Sequence, residues 1–164
     1  PCCRWGHSMV VIDNGRVVVF GGESQDATCA DVQVLDTATW KWESVQCTGC
    51  YPERRFGHSC VYYKGNAIVF GGSKGAGYYD DLICLDVKRW HWWRPQCTGT
   101  PPVKRSSHSM TVVGNKGFVF GGIGGDNKVS CLQDIAVLDL DTWAWAAPAV
   151  SGPLPSGRFV HRVV

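Results

Sequence analysis

Val17-Val18-Val19-Phe20-Gly21-Gly22 returns as Ala67-Ile68-Val69-Phe70-Gly71-Gly72 and again as Gly117-Phe118-Val119-Phe120-Gly121-Gly122, each copy 50 positions after the last. Other landmarks keep step with it. Leu35-Asp36, Leu85-Asp86 and Leu138-Asp139 follow the double glycines, and tryptophans spaced by two come next: Trp40 and Trp42, Trp90 and Trp92, Trp143 and Trp145. A pattern P-x-x-R-x-x-H opens every copy, as Pro1/Arg4/His7, Pro52/Arg55/His58, Pro102/Arg105/His108 and Pro155/Arg158/His161. Self-similarity at a fixed period of this length marks a repeat architecture. The units are 1–51, 52–101 and 102–154, with the opening of a fourth over 155–164.

Within a unit the signals are those of short strands. In the first copy, 7–12 reads as a strand, and Asn14-Gly15 as a tight hairpin turn, because both central residues of such a turn need positive φ. Arg16–Phe20 is a strand apolar enough to be covered on both faces, ended by the double glycine. A polar loop over 23–30 leads to a third strand over 31–35. A turn over 36–39 leads to a fourth over 40–45, with Trp40 and Trp42 on one face by the period of two. Nothing keeps a helical period. Four antiparallel strands repeated about every 50 residues make propeller blades, each burying its faces against its neighbours.

Composition narrows the function classes. The 164 residues carry a net charge of +2, with 20 glycines, 8 tryptophans and 9 cysteines. No Lys/Arg cluster suggests a nucleic-acid footprint, and no apolar run approaches the length of a membrane helix. An odd cysteine count argues against a secreted disulfide framework and for reduced thiols in a cytoplasmic setting.

With the double glycines, the Leu-Asp pairs and the tryptophans placed, the chain resembles the kelch-repeat family, of the type found in galactose-oxidase-like central domains. The resemblance covers nearly all of the chain. It implies an all-β propeller with the first strand of each blade on the central channel, the fourth outside, and six or seven blades in a ring. The chain holds three blades and the inner strand of a fourth, expected over 159–164. An open stack exposes two sheet faces, so the expectation is a piece of a larger ring partnered by the remaining blades. A dimer of half-rings is the alternative.

The candidate site residues follow from this frame. Arg4, Arg55, Arg105 and Arg158 fall near the channel mouth, where guanidinium groups grip carboxylates in pairs. The resemblance implies acidic peptide segments as ligands on that face, while the alternative is that each arginine bridges neighbouring blades through backbone carbonyls or an aspartate. His7, His58, His108 and His161 recur once per blade and are read as satisfying buried backbone groups rather than as metal ligands. The glycines Gly21, Gly22, Gly71, Gly72, Gly121 and Gly122 and the tryptophans Trp40, Trp90 and Trp143 are read as framework. Each tryptophan is expected in the core, its ring against a glycine that offers no side chain. Trp93 has no aromatic counterpart in the other copies and is a candidate interface anchor, since Trp is enriched at hot spots. The loops 23–30, 73–80 and 123–133 vary most, and Lys74, Tyr78 and Tyr79 of the second are candidate partner contacts.

Cys47-Thr-Gly-Cys50 has redox or zinc spacing, but the next copies read Cys97-Thr-Gly-Thr100 and Val150-Ser-Gly-Pro153, so the position reads as a small apolar one. Cys60 stands where other copies have Met9 and Met110, and Cys84 where they have Val34 and Val137, both as core hydrophobes. Cys2-Cys3 falls in an exposed loop and is the most reactive pair. The reading is a protein-binding scaffold with no cofactor, no metal and no catalytic residues. The alternatives are a structural subunit of a large assembly and part of a kelch-type oxidase or mutarotase whose site lies in other blades.

Overall fold

A computed structural model describes residues 1–75, 77–126 and 128–161. The chain order is β1 (Ser8–Ile12), β2 (Arg16–Phe20), β3 (Val32–Asp36), β4 (Lys41–Val45), β5 (Thr48–Gly49), β6 (Ser59–Tyr63), β7 (Asn66–Phe70), β8 (Ser73–Lys74), β9 (Gly77–Tyr78), β10 (Leu82–Asp86), β11 (His91–Trp93), β12 (Thr98–Gly99), β13 (Arg105–Ser106), β14 (Ser109–Val113), β15 (Lys116–Phe120), β16 (Ile123–Gly124), β17 (Ser130–Cys131), β18 (Ile135–Asp139) and β19 (Ala144–Ala146). The structure is all-β. Three antiparallel meanders, β1-β2-β3-β4, β6-β7-β10-β11 and β14-β15-β18-β19, are the blades.

Pairing register explains why these strands are apolar on both sides. In the second blade, Ala67, Val69, Ile83, Leu85 and Trp92 share the face toward the first blade and form one core with Val18, Phe20, Val32 and Val34. The opposite face, with Val61, Ile68, Phe70, Leu82 and Cys84, forms a second core with Val119, Ala136, Leu138 and Trp145. The middle blade is therefore buried on both sides, which continuous apolar runs such as Ala67–Phe70 require. The two cores repeat one motif: the Phe20 and Trp92 ring centroids lie 5.0 Å apart, and those of Phe70 and Trp145 lie 5.1 Å apart.

The tryptophans correct the sequence expectation. The first of each pair ends a turn rather than starting a strand, and Trp40, Trp90 and Trp143 have φ of 58°, 53° and 58°. The turn is built by the preceding Leu-Asp. Oδ1 of Asp36 accepts from the amides of Ala38 and Thr39, and that of Asp139 from Asp141 and Thr142. These amide bonds hold the Asp139 carboxyl near a pKa of about 2. The reversal rotates Trp40 off the face that Trp42 shares. Trp40 is 74% exposed, while Trp90 and Trp143 are half-buried at the blade joints. The core residue is the second tryptophan of the pair: Trp92 is only 1% exposed.

The double glycine also has a different partner from the one expected. Gly21 and Gly71, both at φ 64°, stand against the next blade, not against a tryptophan. A Cβ on Gly71 would lie 2.7 Å from the Arg105 carbonyl oxygen and 2.9 Å from Cε1 of His108, and a Cβ on Gly72 would lie 2.9 Å from Cβ of His58. Gly71→Ala combines the left-handed penalty with this backbone collision, and it is expected to cost about 2 to 3 kcal/mol. Gly65→Ala, with φ 82° but nothing within 4 Å, isolates the conformational part at about 1 kcal/mol. Urea unfolding of the two variants checks the difference.

The Cys-Thr-Gly segments form strands that sequence reading left as turns. Thr48–Gly49 leaves the first blade and pairs in parallel with β11, on the outer edge of the second, and Thr98–Gly99 pairs with β19 of the third. The first and second blades thus each donate a short fifth strand to their successors. The inner strand expected over 159–164 lies partly outside the described residues; Phe159–His161, which are described, form a bend and not a strand.

Candidate functional site

Sequence placed the recurring arginines at the channel mouth, and the structure shows what their side chains do there. Nη1 of Arg55 donates to the Gly71 carbonyl at 2.9 Å and to Asp81 Oδ1 at 2.6 Å. Nη2 donates to Asp81 Oδ2 at 2.9 Å, and Nε to the Glu53 carbonyl at 3.1 Å. Arg105 repeats this on Gly121, Asp134 and Val103, and Arg4 on Gly21 and Asp31. The side chains of Arg55 and Arg105 are wholly buried, and Tyr79 covers the Arg55 guanidinium at 4.5 Å. These guanidinium groups are engaged inside their own blades, closing the opening segment onto the double glycine. They are not presented to an acidic peptide. Arg158 differs: it is exposed, with side-chain bonds only to Ser156 among the described residues.

Sequence reading allowed for backbone carbonyls or an aspartate as partners but did not say which aspartates, and placed the tie between blades rather than within one. Asp31, Asp81 and Asp134 each lie four residues before the leucine of Leu-Asp, so the signal was present in the repeat. Burial alone would raise the Asp81 carboxyl, but hydrogen bonds and charge from Arg55 and then Arg94 outweigh it and hold its pKa below the usual range. The Arg4 guanidinium is raised above its ordinary value, chiefly by its hydrogen bond to Asp31.

The histidines join neighbouring blades beside the first strand of each. Nε2 of His58, His108 and His161 each lies 2.8 Å from the hydroxyl of Ser8, Ser59 and Ser109, one blade back. Nδ1 of His58 is buried, facing the Phe20 carbonyl without reaching hydrogen-bond geometry. A neutral imidazole protonated at Nδ1 would accept the serine hydroxyl at Nε2, and one protonated at Nε2 would donate to it. Burial, reinforced by the charge of the neighbouring arginine, pushes both His58 and His108 down to about 3, so both imidazoles are neutral. Main-chain bonds run alongside: Gly57 N–H donates to the Gly6 carbonyl, Ser107 to Gly57 and Val160 to Ser107, at 2.7, 2.6 and 2.9 Å. All four residues have φ between 56° and 64°.

Lys74 is exposed and Tyr78 half-buried on the β8–β9 hairpin that follows the second double glycine. Tyr79 covers Arg55 and accepts the Arg105 amide at its carbonyl, so it is framework rather than a free contact. Trp93 is not a free anchor either. Its Nε1 donates to Asn66 Oδ1 at 3.0 Å and its ring meets Trp143 edge-on at 5.5 Å, in the joint between second and third blades. The prominent aromatic on the loop side is one that sequence reading did not single out. Trp5, 60% exposed, packs against Phe56 with ring centroids 4.9 Å apart and planes tilted by 58°, and each ring belongs to the residue directly after a recurring arginine. Phe159 holds the equivalent place after Arg158 and is exposed. Backbone bridges from Trp5 to Glu23 and from Phe56 to Ser73 tie these rings to the variable loops.

Cys47 is buried beside Trp92, its thiol pushed up to about 11 by burial, while Cys50 is exposed. Burial likewise pushes Cys60 up to about 12. Among the described residues, no group of three or more His, Cys, Asp or Glu side chains is arranged to hold a metal ion. No helix there is long and apolar enough to cross a membrane.

Comparison with known proteins agrees with this architecture. The profile of the KLHDC2/KLHL20/DRC7 Kelch-repeats domain matches residues 1–164. Kelch domain-containing protein 3 of Bos taurus and that of Homo sapiens are each 38% identical over 66 residues, which is 39% of this chain and 17% of theirs. Acyl-CoA-binding domain-containing protein 4 of Arabidopsis thaliana is 31% identical over 165 residues, spanning 100% of this chain and 24% of its own. The matches therefore span a quarter or less of these relatives. With blades, double glycines and inter-blade joints in place, and a family profile matching from end to end, the chain belongs to the kelch-repeat family.

Proposed function

We propose that the protein is a protein-binding scaffold that recognises its partner on the loop side of the propeller, around Trp5, Phe56 and the β8–β9 hairpin. One contrast carries this reading. Arg4, Arg55 and Arg105 are consumed by the frame, whereas Trp5 and Lys74 are exposed on segments that the bridges from Trp5 to Glu23 and from Phe56 to Ser73 tie to the loops after the double glycines. Kelch-repeat domains generally mediate protein–protein interaction. The partner chemistry this surface fits is an apolar or aromatic side chain against the Trp5–Phe56 pair, with acidic neighbours toward Lys74. The acidic preference then rests on Lys74 rather than on the arginines. A non-enzymatic role in a cytoplasmic setting accords with this reading.

Peptides selected from a displayed random library on the wild-type protein test it. Trp5→Ala is expected to weaken the selected peptides at least about tenfold, as removal of a central aromatic anchor does. Lys74→Glu is expected to discriminate against acidic ones. If the peptides bind both variants unchanged, the loop side is not the recognition surface.

A second contact is supported by the leading face of the first blade. Met9, Val11, Val17, Leu35 and Trp42 share the side that, in the second and third blades, is covered by the blade before. Trp42 is 44% exposed although its equivalents Trp92 and Trp145 are buried. A further blade stacked there would supply the missing phenylalanine of the Phe–Trp motif.

A further inference from the structure

No other copy has a tryptophan after the arginine or a glutamate after the double glycine. The counterparts of Trp5 are Phe56, Ser106 and Phe159, and those of Glu23 are Ser73 and Ile123. Folding sets these two unmatched residues directly opposite one another. Trp5 N–H donates to the Glu23 carbonyl at 2.9 Å and Glu23 N–H to the Trp5 carbonyl at 2.8 Å, as in a hydrogen-bonded antiparallel pair. Residues paired in this way have Cα atoms about 5.5 Å apart and side chains on one face. Thr28 extends the face as the next antiparallel partner of Glu23, and its hydroxyl donates to Glu23 Oε2 at 2.6 Å. Among the described residues, no Lys, Arg or His side chain forms an ion pair with this carboxylate. Arg54, at the outer edge, gives its Nη1 to the Thr28 carbonyl at 3.0 Å instead. The Trp5 ring meets Phe56 and is otherwise largely open to solvent. An open indole beside an unpaired carboxylate is complementary to a cation, which the ring attracts through its π face and the carboxylate through charge-assisted hydrogen bonds.

We propose that this face takes an arginine side chain of the protein partner, its guanidinium on the Trp5 ring and its N–H groups on the Glu23 carboxylate. The assignment rests on the loop-side reading above and names the side chain that anchors there. Arginine suits the pair better than lysine, because a planar guanidinium stacks on an aromatic ring while its N–H fork donates to a carboxylate. Its methylene stem supplies the apolar contact toward Phe56. Glu23 repels an acidic side chain, whereas the exposed Lys74 of the second blade attracts one. The two charges therefore orient a bound segment, with its basic residue on the first blade and its acidic residues toward the second.

The test titrates the full-length protein with acetyl-Gly-Arg-Gly-amide and with its citrulline counterpart, which keeps the shape of arginine and lacks the charge. The readout is the indole N–H resonance of Trp5, assigned by its loss in Trp5→Phe. The arginine peptide is expected to shift this resonance saturably in the millimolar range, and the citrulline peptide to bind at least about tenfold more weakly. Glu23→Gln, which keeps an acceptor for Thr28, should bring the arginine peptide down to the level of citrulline, with the other indole resonances unmoved as a check on the fold. Equal shifts from the two peptides, no shift from either, or an undiminished shift in Glu23→Gln would overturn the proposal. The peptides selected from the displayed library separate this failure from that of the loop-side reading. Selected peptides that depend on Trp5 but carry no arginine sink the cation site alone, whereas peptides indifferent to both Trp5→Ala and Lys74→Glu sink the surface itself.

Discussion

Arg55→Met is expected to lower the unfolding free energy of the protein by about 3 to 5 kcal/mol, the cost of removing one partner from a buried ion pair. The side chain is wholly enclosed, and its loss strands the Asp81 carboxylate and the Gly71 carbonyl together, in the joint where the second blade closes on itself. Arg94 still reaches Asp81 at 2.8 Å, but from the exposed side, and cannot replace the bond to Gly71. Arg158→Met, at the equivalent place in the fourth opening segment but exposed, is expected to change stability by less than about 0.5 kcal/mol. Urea midpoints of the two variants decide the matter. Equal effects would mean that the arginines contribute as surface charges, and a peptide that bound wild type and lost affinity for a folded Arg55→Met would restore them as ligand contacts.

Mild acid is expected to be as damaging as that substitution. His58 and His108 have folded pKa values of about 3, against about 6.5 for an unperturbed imidazole. The unfolded chain therefore binds more protons than the folded one at every pH between those values. By linkage, stability is full above about pH 6.5 and falls as pH drops toward 3. Each histidine approaches a loss of roughly 1.4 kcal/mol per pH unit in that window, so the pair removes about 3 kcal/mol between pH 6.5 and pH 5. The window isolates the imidazoles, since the paired aspartates, whose folded pKa values are lowered, lose their contribution only at more acid pH. Urea unfolding of wild type and His108→Gln at pH 7.5 and pH 5 tests it. The variant should lose distinctly less stability in acid, the remaining loss coming from His58 and His161, and an unchanged loss would place the proton uptake elsewhere.

The blades were legible because each signal occurs three times. One Gly-Gly or one Leu-Asp is weak, but their common period left little choice of fold. What the period could not convey was which copy of a residue touches which. Repetition marks His58 as important without saying that its partner is Ser8 of the blade before. Arg55 and Asp81 recur in step, yet linear sequence does not reveal that they meet head-on and consume one another. Trp40 was misplaced for a local reason: strand alternation was applied across a residue whose φ of 58° resets the alternation. Trp93 was read by its uniqueness as an anchor, when a neighbouring tryptophan and an asparagine already occupied it. Trp5 escaped notice because an aromatic after the arginine also occurs at Phe56 and Phe159. Its exposure is a property of position in the stack, not of residue type.

The strand passed from the first blade to the second, and from the second to the third, separates the unit of inheritance from the unit of folding. A 50-residue period codes four strands of one blade and the outer edge of its successor. Duplicating one whole period leaves the inserted donor with a recipient, because the two joints made by Thr48–Gly49 and Thr98–Gly99 are built alike. Losing part of a period strips one blade of strands and its neighbour of an edge at once. Such a gene changes length readily in whole steps and poorly in fractions. A designer shortening this protein should therefore count residues from one Thr-Gly to the next, rather than from one sheet to the next.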